Sequence, residues 1–330
     1  MGIKYLNSFL KENALPSIKL CNLIDLSHKK IAVDISIYMH RFLSDDTLIE
    51  NMYLMLSIFK YYQIIPIFIF DGKPPQEKSD MLLKRKEGKI YSEREYAILK
   101  EKMEINNDMD ETDKQELIYN MDMLKRKFVT IRKNDIKTVK QLIISYGAVY
   151  YDAPGEADEL CALLTIKEKV WACLSEDMDM FVYGCPRVIR YLSLMSHTAV
   201  LYDMKGILNN LGITQKELRE ICVLSGTDYN LIRDDDNESK HILTNTLKQF
   251  KKYRKAKTGL DFYDWLVEKY DDEYIEDIDQ LNKIYDMFDI TKICYDSKMI
   301  DKIRVVNRPI CRDDMRTILQ SDGFLFPVRQ

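Results

Sequence analysis

Acidic residues are concentrated at two places in one stretch near the middle of the chain. The first group is Glu156, Asp158 and Glu159, the second is Asp177 and Asp179, and an apolar segment separates them. Carboxylates at such short spacing repel one another unless a cation lies among them. Ligation by oxygen alone favours a hard divalent ion such as Mg²⁺ or Mn²⁺. For each acid taken singly, a solvated side chain at a helix start or in a loop is the competing explanation.

Buried strands elsewhere in the chain also end in acids. A predicted strand within residues 29–37 (KKIAVDISI) ends at Asp34, and another at residues 64–70 (IIPIFIF) ends just before Asp71. A third predicted strand, VWACLS, precedes Asp177. Because helical patterns alternate with these strands, we predict an α/β fold with a mostly parallel central sheet flanked by helices. Sites in such sheets form at the carboxyl ends of the strands, so the three acids are expected to meet there.

Composition narrows the class of protein. The chain has 330 residues, 46% of them apolar, and its longest apolar run is strand-sized, so no contact with a membrane is expected. Seven cysteines without a CxxC pair indicate reduced thiols in the nucleus or cytoplasm and not a secreted protein. A net charge of −4 argues against nonspecific nucleic-acid binding, although residues 73–140 carry 17 Lys or Arg against 14 Asp or Glu.

The chain divides into a core, an insertion and a C-terminal region. Residues 1–230 hold the strand and helix pattern, interrupted at about 76–138 by a polar, largely helical insertion. Within the core, Thr214 and Glu217 have the spacing of a capping box, and the helix that they begin ends near Gly226, leaving Asp228 exposed after it. Residues 231–330 are charged and predicted to be helical. None of the four histidines lies in an obvious arrangement of base and nucleophile.

Five segments resemble, in order, the motifs of the flap endonuclease and XPG-type structure-specific 5′ nucleases. They read IAVDISIYM, FIFDGKPPQEK, DAPGEADELCA, SEDMDMFVYG and LSGTDY. The resemblance implies a PIN-like 5′ nuclease fold with a helical arch at the insertion. It also implies two Mg²⁺ ions, replaceable by Mn²⁺, in a site of seven carboxylates that hydrolyses phosphodiesters. Those carboxylates are Asp34, Asp71, Glu156, Asp158, Asp177, Asp179 and Asp228, the last assigned from the resemblance alone.

The resemblance also divides the ligands between the two ions. Asp34, Asp71, Glu156 and Asp158 would surround one ion, and Asp177, Asp179 and Asp228 the other. Residues i and i+2 of a regular helix lie about 200° apart. Glu156 and Asp158 therefore share a site only if their helix begins irregularly, and Glu159 is the alternative ligand. Pro154 is predicted to lie in the first turn of that helix.

Several residues match the positions that contact substrate in the family. Lys78 and Arg85 correspond to catalytic cations that face the scissile phosphate, with exposed surface cations as the competing explanation. Tyr38 or His40 is expected to stack on a base near the cut. Further substrate contacts are expected from Gly2, Lys84 and Lys127, with Lys86, Lys125 and Arg126 as weaker candidates.

The expected partner is branched or 5′-ended DNA, together with replication or repair proteins. A sliding-clamp box is not found, because Gly323 occupies the position that requires an aliphatic residue, and residues 324–326 (FLF) are read as a core anchor. The arch is longer than usual, with an acidic insertion around 106–116. After Asp228 the chain lacks the glycines of the family's GIGPKxA duplex-binding loop, so residues 231–330 form an atypical C-terminal region. The same difference argues against the K⁺ site that this loop forms in the family.

Three functions therefore remain open. The first is a 5′ endo- and exonuclease that acts on DNA flaps in replication, repair or recombination. The second is a related nuclease that prefers RNA or single strands, and the third is a catalytically silent DNA-binding scaffold. The acids at all seven positions weigh against the scaffold. Richness in Ile, Lys, Asn and Tyr suits an AT-rich genome and, with the altered C-terminal region, favours a viral member of the family.

Overall fold

A mixed sheet of seven strands lies at the centre of the fold. The computed structural model describes residues 3–75, 78–105, 120–121, 123–230, 241–270, 275, 277–292 and 297–326. The strands are β1 (Ile18–Asn22), β2 (Lys30–Asp34), β3 (Ile65–Phe70), β4 (Val149–Asp152), β5 (Ala172–Leu174), β6 (Arg187–Ser193) and β7 (Thr198–Asp203), in the order β1-β7-β6-β5-β2-β3-β4. The predicted strands at β2, β3 and β5 are therefore confirmed.

Five neighbouring strands, from β6 to β4, run parallel, whereas β7 pairs antiparallel with both β6 and β1. Strand β1 was not predicted. It lies at one edge of the sheet with Leu20 74% exposed, and its sequence lacks the continuous apolar run that marks the central strands. The central strands read as continuous apolar runs because helices cover both of their faces.

Helices alternate with the strands on both faces of the sheet. In the core they are α1 (Leu6–Ala14), α2 (Ile35–Ser44), α3 (Leu48–Tyr61), α4 (Ser79–Ile105), α5 (Lys133–Ser145), α6 (Ala157–Ile166), α7 (Asp179–Tyr183), α8 (Met204–Leu211) and α9 (Gln215–Leu224). Alternate residues of β2 face opposite cores. Ala32 packs with α6 residues such as Leu160, and Ile31 and Val33 pack with α3 residues such as Met52.

The insertion begins with a long exposed helix. Helix α4 has 27 residues, and most of its described side chains are exposed. Helix α5 begins at Lys133, inside the predicted insertion, because its Val139, Leu142 and Ile143 are buried in the core beside α3. The predicted acidic insertion at 106–116 lies outside the described residues.

The C-terminal region is helical where the structure describes it. Its helices are α10 (Ile242–Ala256), α11 (Phe262–Tyr270), α12 (Ile278–Met287), α13 (Ser297–Lys302) and α14 (Arg312–Ser321). Helix α14 packs against α5, and the Phe324 ring lies 5.8 Å from that of Tyr53. Phe326 packs against the same core, so the predicted anchor is confirmed for the two phenylalanines, whereas Leu325 between them is 97% exposed and was wrongly included. Within the described residues, no helix combines the length and apolar character needed to cross a membrane.

A glycine allows two loops at the carboxyl edge of the sheet to touch. The Gly72 N–H donates to the Gly155 carbonyl at 2.7 Å, just before Glu156. A Cβ atom at Gly72 would lie 2.0 Å from the carbonyl oxygen of Ala153, a backbone atom that cannot turn aside. The contact thus ties the loop after β3 to the loop before α6.

We predict that Gly72→Ala lowers the free energy of unfolding by about 1–3 kcal/mol, because one of the two loops must move. Thermal unfolding measures the change. The matched control is Gly88→Ala in α4, where a new Cβ meets nothing within 4 Å. That substitution is expected to stabilise the protein by up to about 1 kcal/mol through helix propensity. Equal behaviour of the two variants would contradict the proposed close approach.

Candidate metal centre

Acids from three strands meet at the carboxyl edge of the sheet. Asp34 ends β2, Asp71 follows β3, and Asp177 lies beyond the end of β5. Asp34 is 6% exposed; it accepts hydrogen bonds from the Ser36 N–H at 3.3 Å and the Ser175 hydroxyl at 3.0 Å. Because α2 begins at the next residue, Ile35, Asp34 is also the N-cap of α2. The expected meeting of strand-end acids is confirmed.

Asp71 connects this edge to the start of α6. One of its oxygens accepts the Ser36 hydroxyl, and the other accepts the backbone N–H of Ala157, the first residue of α6, at 2.9 Å. The N-terminus of a helix attracts negative charge because its first N–H groups have no partner within the helix. Asp71 therefore fixes the position of the segment that carries Glu156 and Asp158.

The start of α6 allows Glu156 and Asp158 to reach the same site, which a regular helix would prevent. Glu156 is the N-cap, with φ −78° and ψ 149°, so it lies outside the helix, while Asp158 lies within the first turn. The two side chains therefore do not obey the helical angle between i and i+2. Pro154 precedes the helix, and its predicted place in the first turn was wrong because the chain turns at Pro154 and Gly155 before α6 begins.

Three buried aspartates come closest to one another. Carboxylate oxygens of Asp158, Asp177 and Asp179 lie within 4.8 Å of one another. Among the described residues, neither oxygen of Asp179 has a hydrogen-bond donor, although the side chain is fully buried. A buried carboxylate without a donor is costly unless a cation binds it. The grouping also differs from the division that the sequence suggested, since Asp158 joins Asp177 and Asp179.

The electrostatics of the site favour a bound cation. Burial, and then the charge of Asp71, raises the pKa of Asp34 to about 7, although the Ser175 hydrogen bond opposes the shift. Burial and the nearby acids also raise the pKa of Asp158 and Asp179 well above their usual value. The donor set consists of oxygens alone, which fits Mg²⁺ or Mn²⁺. The residues present are thus able to hold such an ion.

Two cations already lie among these acids. The Lys78 ammonium is 2.6 Å from Glu156 Oε2, and its side chain is only 7% exposed. Burial would lower the pKa of Lys78, but Asp158 and Glu156 raise it above the ordinary value. The Arg85 guanidinium lies 3.1 Å from Asp228 and is 44% exposed. Because both cations contact predicted ligands, the explanation of Lys78 as an exposed surface cation is wrong, and Arg85 is only partly exposed.

Of the two residues expected to stack on a base, His40 is exposed and Tyr38 is buried. Tyr38 is 1% exposed and packs against Phe42, so its ring cannot stack on a base, which corrects that half of the prediction. His40 lies on the exposed face of α2. Burial, and then the charge of Lys89, lowers the pKa of His40, while Asp71 raises it. His40 is therefore within electrostatic range of Asp71.

The remaining predicted substrate contacts lie further out. Lys84 and Lys86 are exposed on α4, and Lys127 is exposed before α5. Lys125 and Arg126 form ion pairs with Asp46 and Asp45 in the turn between α2 and α3. Those pairs tie the end of the insertion to the core. Gly2 lies outside the described residues.

Three site residues were missed from the sequence. The Ser36 hydroxyl donates to Asp71 and the Ser175 hydroxyl donates to Asp34, and both serines lie within two residues of a predicted ligand. That proximity is the signal that could have identified them. Tyr229 donates to Glu156 at 3.2 Å from a distant part of the chain. Its position beside Asp228 was the available signal.

Two family models match the segments that carry the seven predicted acids. Residues 1–91 match the XPG N-terminal domain, and residues 147–228 match the XPG I-region. Flap endonuclease 1 of Encephalitozoon cuniculi is 31% identical over 252 residues, covering 69% of this chain and 68% of that protein. Flap endonuclease 1 of Xenopus tropicalis is 28% identical over 247 residues; the match covers 69% of this chain and 61% of that protein, under two thirds of its length.

A solved structure agrees over nearly the whole chain. The catalytic core of Rad2 in complex with a DNA substrate has a TM-score of 0.63 and 23% identity, covering 96% of this chain and 94% of that one. At that identity the likeness concerns the fold. The mixed sheet with flanking helices is thus a known nuclease-core fold, and the predicted fold class is confirmed.

We predict that Asp34→Asn stabilises the protein in the presence of a chelator above pH 7. Asparagine resembles the protonated acid, so it avoids burying a charge. The raised pKa of about 7 makes the folded wild type take up a proton before the unfolded chain does. The advantage of the variant, up to roughly 4 kcal/mol, therefore shrinks as pH falls from 7 and is lost near pH 4.

Thermal unfolding at several pH values measures this difference. Asp203→Asn is the matched control, because Asp203 is an exposed N-cap away from the site and asparagine caps a helix equally well. Addition of Mg²⁺ is expected to reverse the order, since only the wild type keeps the full charge for ion binding. A constant difference across the pH range would contradict the raised pKa.

Proposed function

Because the chain belongs to the family of flap endonuclease and XPG-type nucleases, we propose that it is a Mg²⁺-dependent structure-specific 5′ nuclease. Its substrate would be branched or 5′-ended DNA, in replication, repair or recombination, in the nucleus or cytoplasm. One observation carries the proposal: acids from distant segments converge on a buried cluster in which both Asp179 oxygens lack a donor among the described residues. Two cationic side chains, Lys78 and Arg85, contact the further predicted ligands Glu156 and Asp228.

The carboxylates would hold two ions. We assign Asp158, Asp177, Asp179 and Asp228 to one neighbourhood, and Asp34, Asp71 and Glu156 to the other. The first assignment follows the short oxygen distances and the electrostatic coupling of Asp179 to Asp228. The second follows the coupling of Asp34 to Asp71. Two bound Mg²⁺ ions would supply Lewis-acid activation of water and stabilise the leaving oxygen.

The cations would act on the scissile phosphate. In hydrolysis, the water oxygen forms a bond to phosphorus, a P–O bond to the chain breaks, and the departing oxygen gains a proton. Negative charge grows on the phosphate oxygens as this happens, and fixed cations stabilise it. Lys78 is held in place by burial, whereas Arg85 must leave Asp228 to reach the phosphate. His40 provides an exposed ring for a base beside the cut.

DNA is favoured over RNA as the substrate. The Rad2 core with a similar fold was solved with a DNA substrate. The RNA or single-strand alternative depends on the atypical segment at 231–240, which lies outside the described residues. The silent scaffold is disfavoured by physics, because the raised pKa values of Asp34, Asp158 and Asp179 indicate that the cluster costs stability when no ion is bound.

We predict that the purified protein cleaves a 5′-flap duplex only when Mg²⁺ or Mn²⁺ is present. Asp177→Asn is expected to lower the cleavage rate by at least about 100-fold, because it removes charge from an ion site. Asp203→Asn is expected to cleave at the wild-type rate. Cleavage that persists in excess chelator would overturn the proposed mechanism. Duplex binding without turnover in Mg²⁺ would support the scaffold.

Parallel assays on a nicked duplex, a four-way junction and a single-stranded RNA separate the nuclease alternatives. Preference for the flap or the junction over the RNA is expected. The reverse order would favour an RNA-directed enzyme with the same chemistry.

Helix α10 offers a surface for the duplex arm of the substrate. Residues 242–257 contain six basic side chains and no acid, in a chain of net charge −4. Lys248, Lys251, Lys252 and Lys255 are exposed at helical spacing on one face. Within the described part of the chain, none of these four pairs with a carboxylate, whereas Arg254 pairs with Glu217.

Helix α10 is also attached to the candidate metal centre. Ser225, three residues before Asp228, is buried, and its hydroxyl donates to Thr246 of α10 at 3.0 Å. At a rise of about 1.5 Å per residue, the lysines extend roughly 15 Å along the helix beyond that contact. We therefore propose that this lysine face binds duplex phosphates in place of the missing glycine loop.

Replacement of the four lysines by glutamine is expected to weaken duplex binding by about 10-fold or more and to reduce its salt dependence. Binding is measured over a range of salt in an Asp177→Asn background, which prevents turnover. The control replaces four exposed lysines outside this face, Lys19, Lys30, Lys167 and Lys205, and so changes the net charge equally. Equal losses for both sets would indicate a general charge effect and contradict a specific surface.

A further inference from the structure

Tyr229 contacts two members of the site through one side chain. Its hydroxyl donates to Glu156 Oε2 at 3.2 Å, and its ring centroid lies 5.1 Å from Lys78 Nζ. The same Glu156 oxygen is 2.6 Å from the Lys78 ammonium. A ring, a cation and a carboxylate therefore contact one another in pairs.

The tyrosine is itself held from two directions. Its backbone N–H donates to Thr227 Oγ1 at 3.0 Å. Its ring packs edge-on against the buried Phe288, with centroids 5.6 Å apart, and Phe288 also packs against Tyr183 at the end of α7. Asp179 is the first residue of α7. The Tyr229 ring is thus fixed relative to both Asp228 and Asp179.

Lys78 needs a partner that does not compete for metal ions. Its present contact, Glu156, is a proposed ion ligand, so a bound ion would take part of that attraction away. The face of an aromatic ring attracts a cation without carrying a charge. The Tyr229 hydroxyl donates to Glu156 as well, so the ring and the hydroxyl contact the two partners at once.

Building on the proposed function, we propose that Tyr229 is a positioning residue for the reaction. Its ring holds the Lys78 ammonium in place when ions occupy the carboxylates, and its hydroxyl orients Glu156 for ion binding. The residue acts through Lys78 and Glu156.

Two substitutions separate the ring from the hydroxyl. Tyr229→Leu removes both and is expected to lower the single-turnover cleavage rate by about tenfold while the affinity for DNA stays unchanged. Tyr229→Phe keeps the ring, so most of the rate is expected to return, but Mn²⁺ binding measured without DNA should weaken a few-fold. Tyr61→Leu is the control, because Tyr61 is 78% exposed and away from the site.

A double-mutant cycle tests the dependence on Lys78. In the Lys78→Ala background, Tyr229→Leu should cleave no more slowly than Tyr229→Phe, because both variants lack the hydroxyl and the ring no longer has a cation to hold. A purely structural role of the ring would keep Tyr229→Leu slower than Tyr229→Phe by the same factor as when Lys78 is present, and that result would overturn the proposal. An unchanged rate in Tyr229→Leu would overturn it too.

A readout without catalysis keeps the two proposals distinct. In protein with ¹³C-labelled lysine, the Lys78 ε-methylene resonance should be shifted by the ring, retained in Tyr229→Phe and moved in Tyr229→Leu. Those shifts, together with weaker Mn²⁺ binding in Tyr229→Phe, would support the positioning contacts even if no flap is cleaved, in which case only the proposed function fails. No change in the resonance overturns the positioning role. Should Tyr229→Leu not fold, Tyr229→Met fills the same space flexibly.

Discussion

Repulsion among carboxylates at one edge of a parallel sheet is the constraint on which the site depends. Parallel strands bring their carboxyl ends to the same side, so acids at those ends must share a small volume. Burial makes the repulsion stronger because water no longer screens it. Burial first, and then the charges of neighbouring acids, raises the pKa of Asp34, Asp158 and Asp179, so both effects disfavour the charged cluster. Such an arrangement lowers the stability of the folded protein without a cation and gives it the ability to bind one.

The surrounding structure limits the cost in two ways. Backbone N–H groups at helix starts bind the acids that lie nearest to them: Asp34 caps α2, and Asp71 accepts from the first residue of α6. Cationic side chains enter from the insertion and bind Glu156 and Asp228. Asp179 receives neither kind of contact from the described residues. Because no direct contact from the described residues offsets the charge of Asp179, a bound metal ion would stabilise this carboxylate most.

Sequence periodicity was sufficient for the parts of the site that depend on strands. An apolar run followed by an acid predicts both the strand and the place of its carboxylate, as for β2 with Asp34 and β3 with Asp71. Strand β1 was not predicted, because one of its faces is exposed and its sequence therefore has no continuous apolar run. Asp228 needed the family pattern, since nothing in the local sequence distinguishes it from any other acid after a helix.

Orientation around a helix was the harder problem. Tyr38 and His40 are two residues apart on α2, so they point in very different directions, and only the packing of Tyr38 on Phe42 shows which one faces the core. Long-range contacts were equally hidden. Lys78 follows two prolines in a polar segment, which predicts exposure, yet Glu156 and Tyr229 from distant segments enclose it.

Lys78 and Arg85 connect the insertion to the acids of the ion site, and the two side chains differ in exposure. A buried ammonium that loses its carboxylate partner is strongly destabilised, whereas a half-exposed guanidinium can turn to water at little cost. Any ion that binds Glu156 therefore weakens the attraction that holds Lys78, and by linkage the position of Lys78 affects the affinity for that ion. Since Lys78 directly precedes α4, ion binding and the placement of this helix are energetically coupled. Arg85, on the first turns of the same helix, is paired with Asp228, a second acid of the site.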